Sequence, residues 1–237
     1  AYPSGFNMSE AVILPYLQYI GMNELDKVIL SHSDNDHAGG LAMLEDKIII
    51  DEIISNDSSI SNKPLSHCTQ GKFFYWQGLR FEMLSPPNQM ADFKVSKNAE
   101  SSKETKQKND DSCVVLISDK SGRSVLLTGD IPQKIEKQLL VGYPQLNIDI
   151  LQVPHHGSKT SSSQEFIKQL SPQFAVVSTG YLNRWYMPSK SVRQRYQNEN
   201  ISLINNAEVG QVIFTIEVQG ISVQNYVDDL RPFWFSH

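Results

Sequence analysis

Cysteine, long apolar runs and excess charge are all scarce in this chain, and each scarcity excludes something. Two cysteines, Cys68 and Cys113, among 237 residues rule out both a disulfide-rich scaffold and an all-cysteine zinc site. No apolar run approaches the roughly 18 residues of a membrane-spanning helix, so this piece reads as soluble by itself. The N-terminus has neither the charged start nor the apolar stretch of a signal peptide. It opens at Ala1, without a Met, in loop-like Tyr2-Pro3-Ser4-Gly5, as a fragment or a processed chain would. A net charge of −5 argues against wholesale coating of nucleic acid while permitting a local basic groove. What is present is ordinary: 40% apolar and 20% charged residues, the composition of a globular protein with a sizeable core.

Apolar periodicity switches repeatedly between the helical and the strand period, the mark of an α/β or α+β domain. Ile13, Leu17 and Ile20 sit at helical spacing behind Ser9 as N-cap, and Gly21 closes that helix. Pro15 either marks its first turn or kinks it. Short buried strands follow at 27–30 and 47–50, and 73–84 reads as a hairpin turning at Gly78. Residues 88–111 form an exposed polar insert in which five lysines are matched by five acids. Strands at 113–117, 124–128, 148–153 and 174–178 alternate with helices at 132–141 and 161–170, the latter opened by a Ser162-x-x-Glu165 capping box. The end is strand-rich (201–204, 211–218, 221–226), and no internal repeat is visible.

Four of the six histidines fall in two short polar motifs, while His67 and His237 read as surface residues. Ser31-His32-Ser33-Asp34-Asn35-Asp36-His37 follows the strand at 27–30 directly. Four potential ligands within six residues can converge on one cation without a long loop, and mixed imidazole and carboxylate donors suit Zn²⁺ or harder ions such as Mn²⁺. The bland alternative is an Asp-rich turn that caps the next helix. Leu126-Leu127-Thr128-Gly129-Asp130 is again an apolar strand ending in a carboxylate, and Asp130 is either a ligand or part of a helix N-cap region. Val153-Pro154-His155-His156-Gly157 ends a third strand. Adjacent side chains leave an extended strand on opposite sides, so His155 is assigned to the metal and His156 to substrate contact or proton transfer. Three strand ends delivering His or Asp point to a metal site.

These motifs together resemble the metallo-β-lactamase fold. More narrowly, they resemble the C-terminal hydrolase domain of the ComEC family of competence DNA-uptake channels. The narrower likeness rests on Cys68, Gly71, Trp76, Gly78, Phe81 and Leu84, on Asn109-Asp110-Asp111-Ser112-Cys113, and on Asn183-Arg184 followed by Pro188. It runs from about residue 8 to about residue 215. It implies a single four-layer αββα sandwich over residues 1–237, with the family's first strands lying before Ala1. Asp34 stands where the superfamily carries a histidine, and Met187 stands where it carries a late one. A carboxylate at 34 makes the site harder and favours Mn²⁺ or Mg²⁺.

The resemblance also implies roles. His32, Asp34 and His155 would hold one divalent ion and Asp36 and His37 a second, with Asp130 shared and Asp36 orienting the water. Cys68 and Cys113 would lie close enough for a disulfide, on a domain facing the outside of the inner membrane as part of a membrane-embedded channel. The reaction would be hydrolysis of DNA, of the strand not taken up. A catalytically weak DNA-guiding module and another phosphodiesterase or esterase of the same fold are the alternatives. Charge placement agrees with a phosphodiester substrate. Between Phe166 and Asn198 there is no acid, but there are Lys168, Arg184, Lys190, Arg193 and Arg195. Tyr181, Trp185 and Tyr186 are interleaved with them, and Asn183 belongs to the same segment. Such a mix suits single-stranded DNA; a solvated helix face beside core aromatics is the alternative.

Overall fold

The computed structural model describes residues 7–87 and 109–232. The chain forms two compact units, Ala1–Lys72 with Met83–Val114, and Phe73–Glu82 with Val115–His237.

The first unit carries α1 (Leu14–Tyr19), β1 (Glu24–Ile29), α2 (Asn35–Ala38), α3 (Leu41–Lys47), β2 (Ile49–Ile54) and β3 (Leu65–Ser66). The three strands form a parallel sheet in the order β1-β2-β3. Leu14, Leu17, Leu41, Leu44, Ile48, Ile50 and Ile53 make its core. Of the expected face of the first helix Leu17 is buried, but Leu14 is buried in place of Ile13, and Ile20, the residue that closes α1, is exposed. A π-helical turn over Ser9–Ile13 precedes α1. Its wider turn slides the apolar face along the chain. Ser9 is not the N-cap either, since its own N–H donates to Asn7 Oδ1 at 2.8 Å. Pro15 lies in the first turn of α1, directly after that π turn.

The second unit is built on a seven-stranded sheet. In chain order its strands are β4 (Phe73–Trp76), β5 (Leu79–Ser85), β6 (Val114–Ser118), β7 (Ser124–Leu127), β8 (Ile150–Gln152), β9 (Phe174–Val177) and β10 (Ser202–Asn205). Their order in the sheet is β10-β9-β8-β7-β6-β5-β4. β4–β5 and β6–β7 are antiparallel hairpins, while β7 to β10 run parallel. The crossovers carry α4 (Gln133–Gly142), α5 (Gln164–Leu170) and α6 (Lys190–Asn198). On the strands Leu126, Leu151, Ala175 and Val177 are fully buried, as the near-continuous apolar runs of parallel strands require, and so are Phe166, Ile167 and Leu170 of α5 and Val192 of α6. After α7 (Asn206–Val209), β11 (Val212–Glu217) and β12 (Gly220–Asn225) form a separate hairpin.

Two expectations need correction. The cap of α5 is Ser163, whose side chain accepts from Phe166 N–H; Ser162 has a φ of 53° and lies outside the helix. The polar insert lies mostly outside the described residues, and its last three, Asn109, Asp110 and Asp111, are half-buried rather than exposed. No helix among the described residues is long and apolar enough to cross a membrane.

Candidate metal centre

Both units deliver their polar motifs at the C-terminal ends of parallel strands, where open α/β sheets place ligands. In the first unit β1 ends at Ile29 and the chain turns through Ser31–Asp34 into α2. Ser31 Oγ lies 3.0 Å from His32 Nδ1 and 3.2 Å from His37 Nδ1, and the two rings are 4.1 Å apart at their centroids. A hydroxyl has two acceptor lone pairs. Ser31 can therefore accept from both Nδ1–H groups, selecting the tautomer in which each Nε2 carries the lone pair a cation needs.

His32 is buried, and its Nε2 stands 3.6 Å from Asp34 Oδ2; His37 Nε2 stands 4.0 Å from the exposed Asp36. Those separations exceed a hydrogen bond. They leave both donor atoms within reach of one cation held about 2.0–2.2 Å from each. Asp34 occupies the N-cap position of α2 but makes no side-chain cap hydrogen bond, so the capping alternative does not account for it. The turn is braced from outside. Cys113 N–H donates to Ser31 O at 2.8 Å, and Cys113 is joined to Cys68 by a disulfide.

In the second unit the Asp130 turn is held by Gln152, whose Oε1 accepts from Thr128 N–H at 2.8 Å and Gly129 N–H at 3.0 Å. Thr128 Oγ1 donates to the Gln152 carbonyl at 2.8 Å. Asp130 is nearly fully buried. The cap of α4 is Pro132, so Asp130 is not a helix cap.

β8 stops at Gln152, and His155 and His156 both take positive φ, 50° and 53°. The two side chains therefore do not leave on opposite sides, as they would from an extended strand. Both rings turn the same way, with Nε2 atoms 3.8 Å and 3.7 Å from Asp130 Oδ2. His156 Nδ1–H donates to the Ser178 carbonyl at 2.7 Å, which leaves Nε2 as the atom facing Asp130. The donor set of each unit, imidazole nitrogen beside carboxylate oxygen at the same spacing, fits a divalent ion of Zn²⁺ to Mn²⁺ hardness.

Behind the histidine turn lies a buried polar network. Glu136 accepts from the backbone N–H groups of Ser162 and Ser163, the latter at 2.8 Å. Arg195 donates to the carbonyls of Ser161 and Ser162 at 3.1 Å and 2.7 Å. Burial pushes the Glu136 carboxyl above its ordinary range against the pull of those N–H donors and Arg195, and burial pushes the Tyr196 phenol up as well. The network fixes the segment 158–163 that leaves the two histidines.

Residues 4–181 match the family model described as the metallo-beta-lactamase superfamily. The chain belongs to the metallo-β-lactamase superfamily. It is 36% identical over 97% of its length to Recombination protein 2 of Haemophilus influenzae, covering 27% of that protein. It is 30% identical over 87% of its length to ComE operon protein 3 of Bacillus subtilis, covering 26%, and 32% identical over 90% to Competence protein ComA of Neisseria gonorrhoeae, covering 28%. The chain thus spans about a quarter of the length of these relatives. Among solved structures, Igni18, a metallo hydrolase of Ignicoccus hospitalis, aligns with a TM-score of 0.50 at 14% identity, over 81% of this chain and 79% of that one. That likeness concerns the fold alone. Superfamily and donor chemistry together make the chain a metal-dependent hydrolase module of the kind found within competence proteins.

The superfamily motifs were visible in sequence; their supports were not. Ser31 and Gln152 act through other residues, and only the presence of a Gln in an otherwise apolar strand hinted at the second. Of the residues expected at nucleic acid, Arg184 and Lys190 are exposed. Arg193 instead pairs with Glu208 at 2.7 Å, and Arg195 is given to the carbonyls named above. Asn183 holds its own loop, donating to the Gly180 and Met187 carbonyls at 3.1 Å and 2.8 Å and accepting from Met187 N–H at 2.8 Å.

Proposed function

We propose that this module is a metal-dependent nuclease that hydrolyses DNA phosphodiesters during DNA uptake, acting on the strand that is not imported. The observation that carries the reading is the C-terminal end of the central strands β7 and β8 in the second unit. There Asp130, His155 and His156 converge, beside a segment, 166–198, that contains no acid. Similarity to proteins named for recombination and competence supports DNA as the substrate.

In the first unit His32, Asp34, Asp36 and His37, and in the second Asp130 and His155 with His156 beside them, would offer ligands to divalent ions, Mn²⁺, Mg²⁺ or Zn²⁺. A divalent ion bound there would supply Lewis acidity toward a phosphoryl oxygen and lower the pKa of water. The protein's own residues do the rest. Asp36, the exposed carboxylate of the first motif, orients the attacking water. His156, its Nδ1 proton tied to the Ser178 carbonyl, turns Nε2 toward Asp130 and would share in holding the ion there. Arg184 and Lys190 neutralise phosphates along the approach.

The test is cleavage of end-labelled linear DNA with added Mn²⁺. Cleavage by the parent, abolished by EDTA and by Asp130→Ala, is the expected result. DNA left intact by protein shown to contain its metal would overturn the nuclease reading and leave a DNA-guiding module.

A further inference from the structure

We infer that the loop 180–187 is a base-stacking platform that makes the module selective for single-stranded nucleic acid, an inference that rests on the nuclease reading above. Four large side chains crowd this loop and face solvent: Tyr181, Leu182, Trp185 and Tyr186 are 79%, 84%, 63% and 87% exposed. Isolated exposed apolar groups are common on protein surfaces, but four within six residues form a patch that calls for a ligand.

The loop is also held in one shape. Asn183 bonds both ends of it, Asn183 N–H donates to the Gly180 carbonyl at 3.2 Å, and Tyr186 N–H donates to the Asn183 carbonyl at 3.1 Å. Leu182 and Tyr186 are kept at φ 50° and 54°, a backbone region that ordinary side chains avoid. Rings presented on a fixed backbone lose little entropy on binding.

Both feet of the loop stand on the histidine motif. At one end the Ser178 carbonyl accepts from His156 Nδ1–H. At the other, Ser189 N–H donates to the Gly157 carbonyl at 2.9 Å, and Pro188 packs so closely that a Cβ on Gly157 would lie 2.4 Å from its own Cβ. A chain stacked on the loop would pass directly beside the reacting end of the sheet.

Chemistry chooses the occupant. Three of the four side chains are Tyr or Trp, whose faces stack on any nucleobase. The Arg184 guanidinium lies 4.2 Å over the Trp185 ring, a position from which its edge can donate to a phosphate while the indole carries it. No carboxylate occurs between 166 and 198 to repel a polyanion. A duplex hides its base faces in its own stack, so only a single strand can use such a platform.

The experiment is binding of the 237-residue chain to fluorescein-labelled dT15 in EDTA, read by anisotropy. Comparisons are a duplex of equal length, an abasic deoxyribose-phosphate 15-mer, and phosphatidylglycerol vesicles. Trp185→Ala and Tyr186→Ala should each weaken dT15 about tenfold without altering the salt dependence, since stacking releases no counterions. Trp185→Phe should recover most of the loss. Arg184→Ala should flatten log Kd against log salt by about 0.7, the single-strand value for one phosphate. The inference is overturned if both alanine variants bind like the parent, if the abasic chain binds as tightly as dT15, or if only vesicles are bound. A parent that cuts DNA but ignores the aromatic variants overturns this inference alone; a parent that stacks dT15 yet never cuts it overturns the nuclease reading alone.

Discussion

Removing the disulfide should cost the first unit much of its stability. Cys68 and Cys113 close a loop of 45 residues, and both are almost completely buried. In the chain-entropy view, opening a loop of that length returns about 4 kcal/mol of freedom to the unfolded state, within a usual range of about 2–5 kcal/mol. Cys113 also anchors the Ser31 turn through its backbone N–H, so the loss should be felt at the first metal motif. The perturbation is the double variant Cys68→Ala/Cys113→Ala, and the assay is equilibrium urea unfolding of oxidised parent and variant. Thiol titration under denaturing, non-reducing conditions should first find no reactive thiol in the parent. The expected drop is about 3–5 kcal/mol, accompanied by faster amide exchange at residues 31–37. A drop below about 1 kcal/mol, with the parent's bond verified, would refute the claim that this cross-link braces the unit.

Three further outcomes follow from the second unit. His155→Ala and His156→Ala should both reduce divalent-metal affinity, by about tenfold or more in titration calorimetry, because both rings converge on Asp130; full affinity in the His156 variant would restore the single-ligand assignment. Gly157→Ala should destabilise by about 1–3 kcal/mol in thermal or urea melts, since its φ of 76° and the Pro188 contact both oppose a Cβ. For Glu136 the sign of the pH effect is set by burial raising its folded pKa above 4.5. The folded state then holds the proton longer, so the group's contribution is fully present below the unfolded pKa. It declines as pH rises through the raised value. The stability of the parent relative to Glu136→Gln should therefore fall on going up in pH from about 4.5, and a flat difference would contradict it.

Much of this was legible because strand ends announce themselves. An apolar run followed by His or Asp placed His32, Asp130 and His155 without any long-range information. What escaped depends on backbone states and distant partners. His156 joined Asp130 because both histidines take positive φ, which no period-two argument contains. Arg193 and Arg195 looked like a basic stripe until Glu208 and the Ser161–Ser162 carbonyls, 15 and about 33 residues away, took them. The face of the first helix slipped because a π turn leaves no distinct mark in the residues that form it. The Asn183 amide read as a contact and turned out to be the brace of its loop.

The central claim is that both polar motifs serve divalent-metal hydrolysis, and calorimetric titration of metal-stripped protein with Mn²⁺ tests it most directly. One or two ions should bind per parent chain, at least one of them being lost in Asp130→Ala and comparably in His32→Ala, with both variants retaining the parent's circular dichroism. A parent chain that binds no divalent ion, or an Asp130→Ala variant that binds as the parent does, would contradict it.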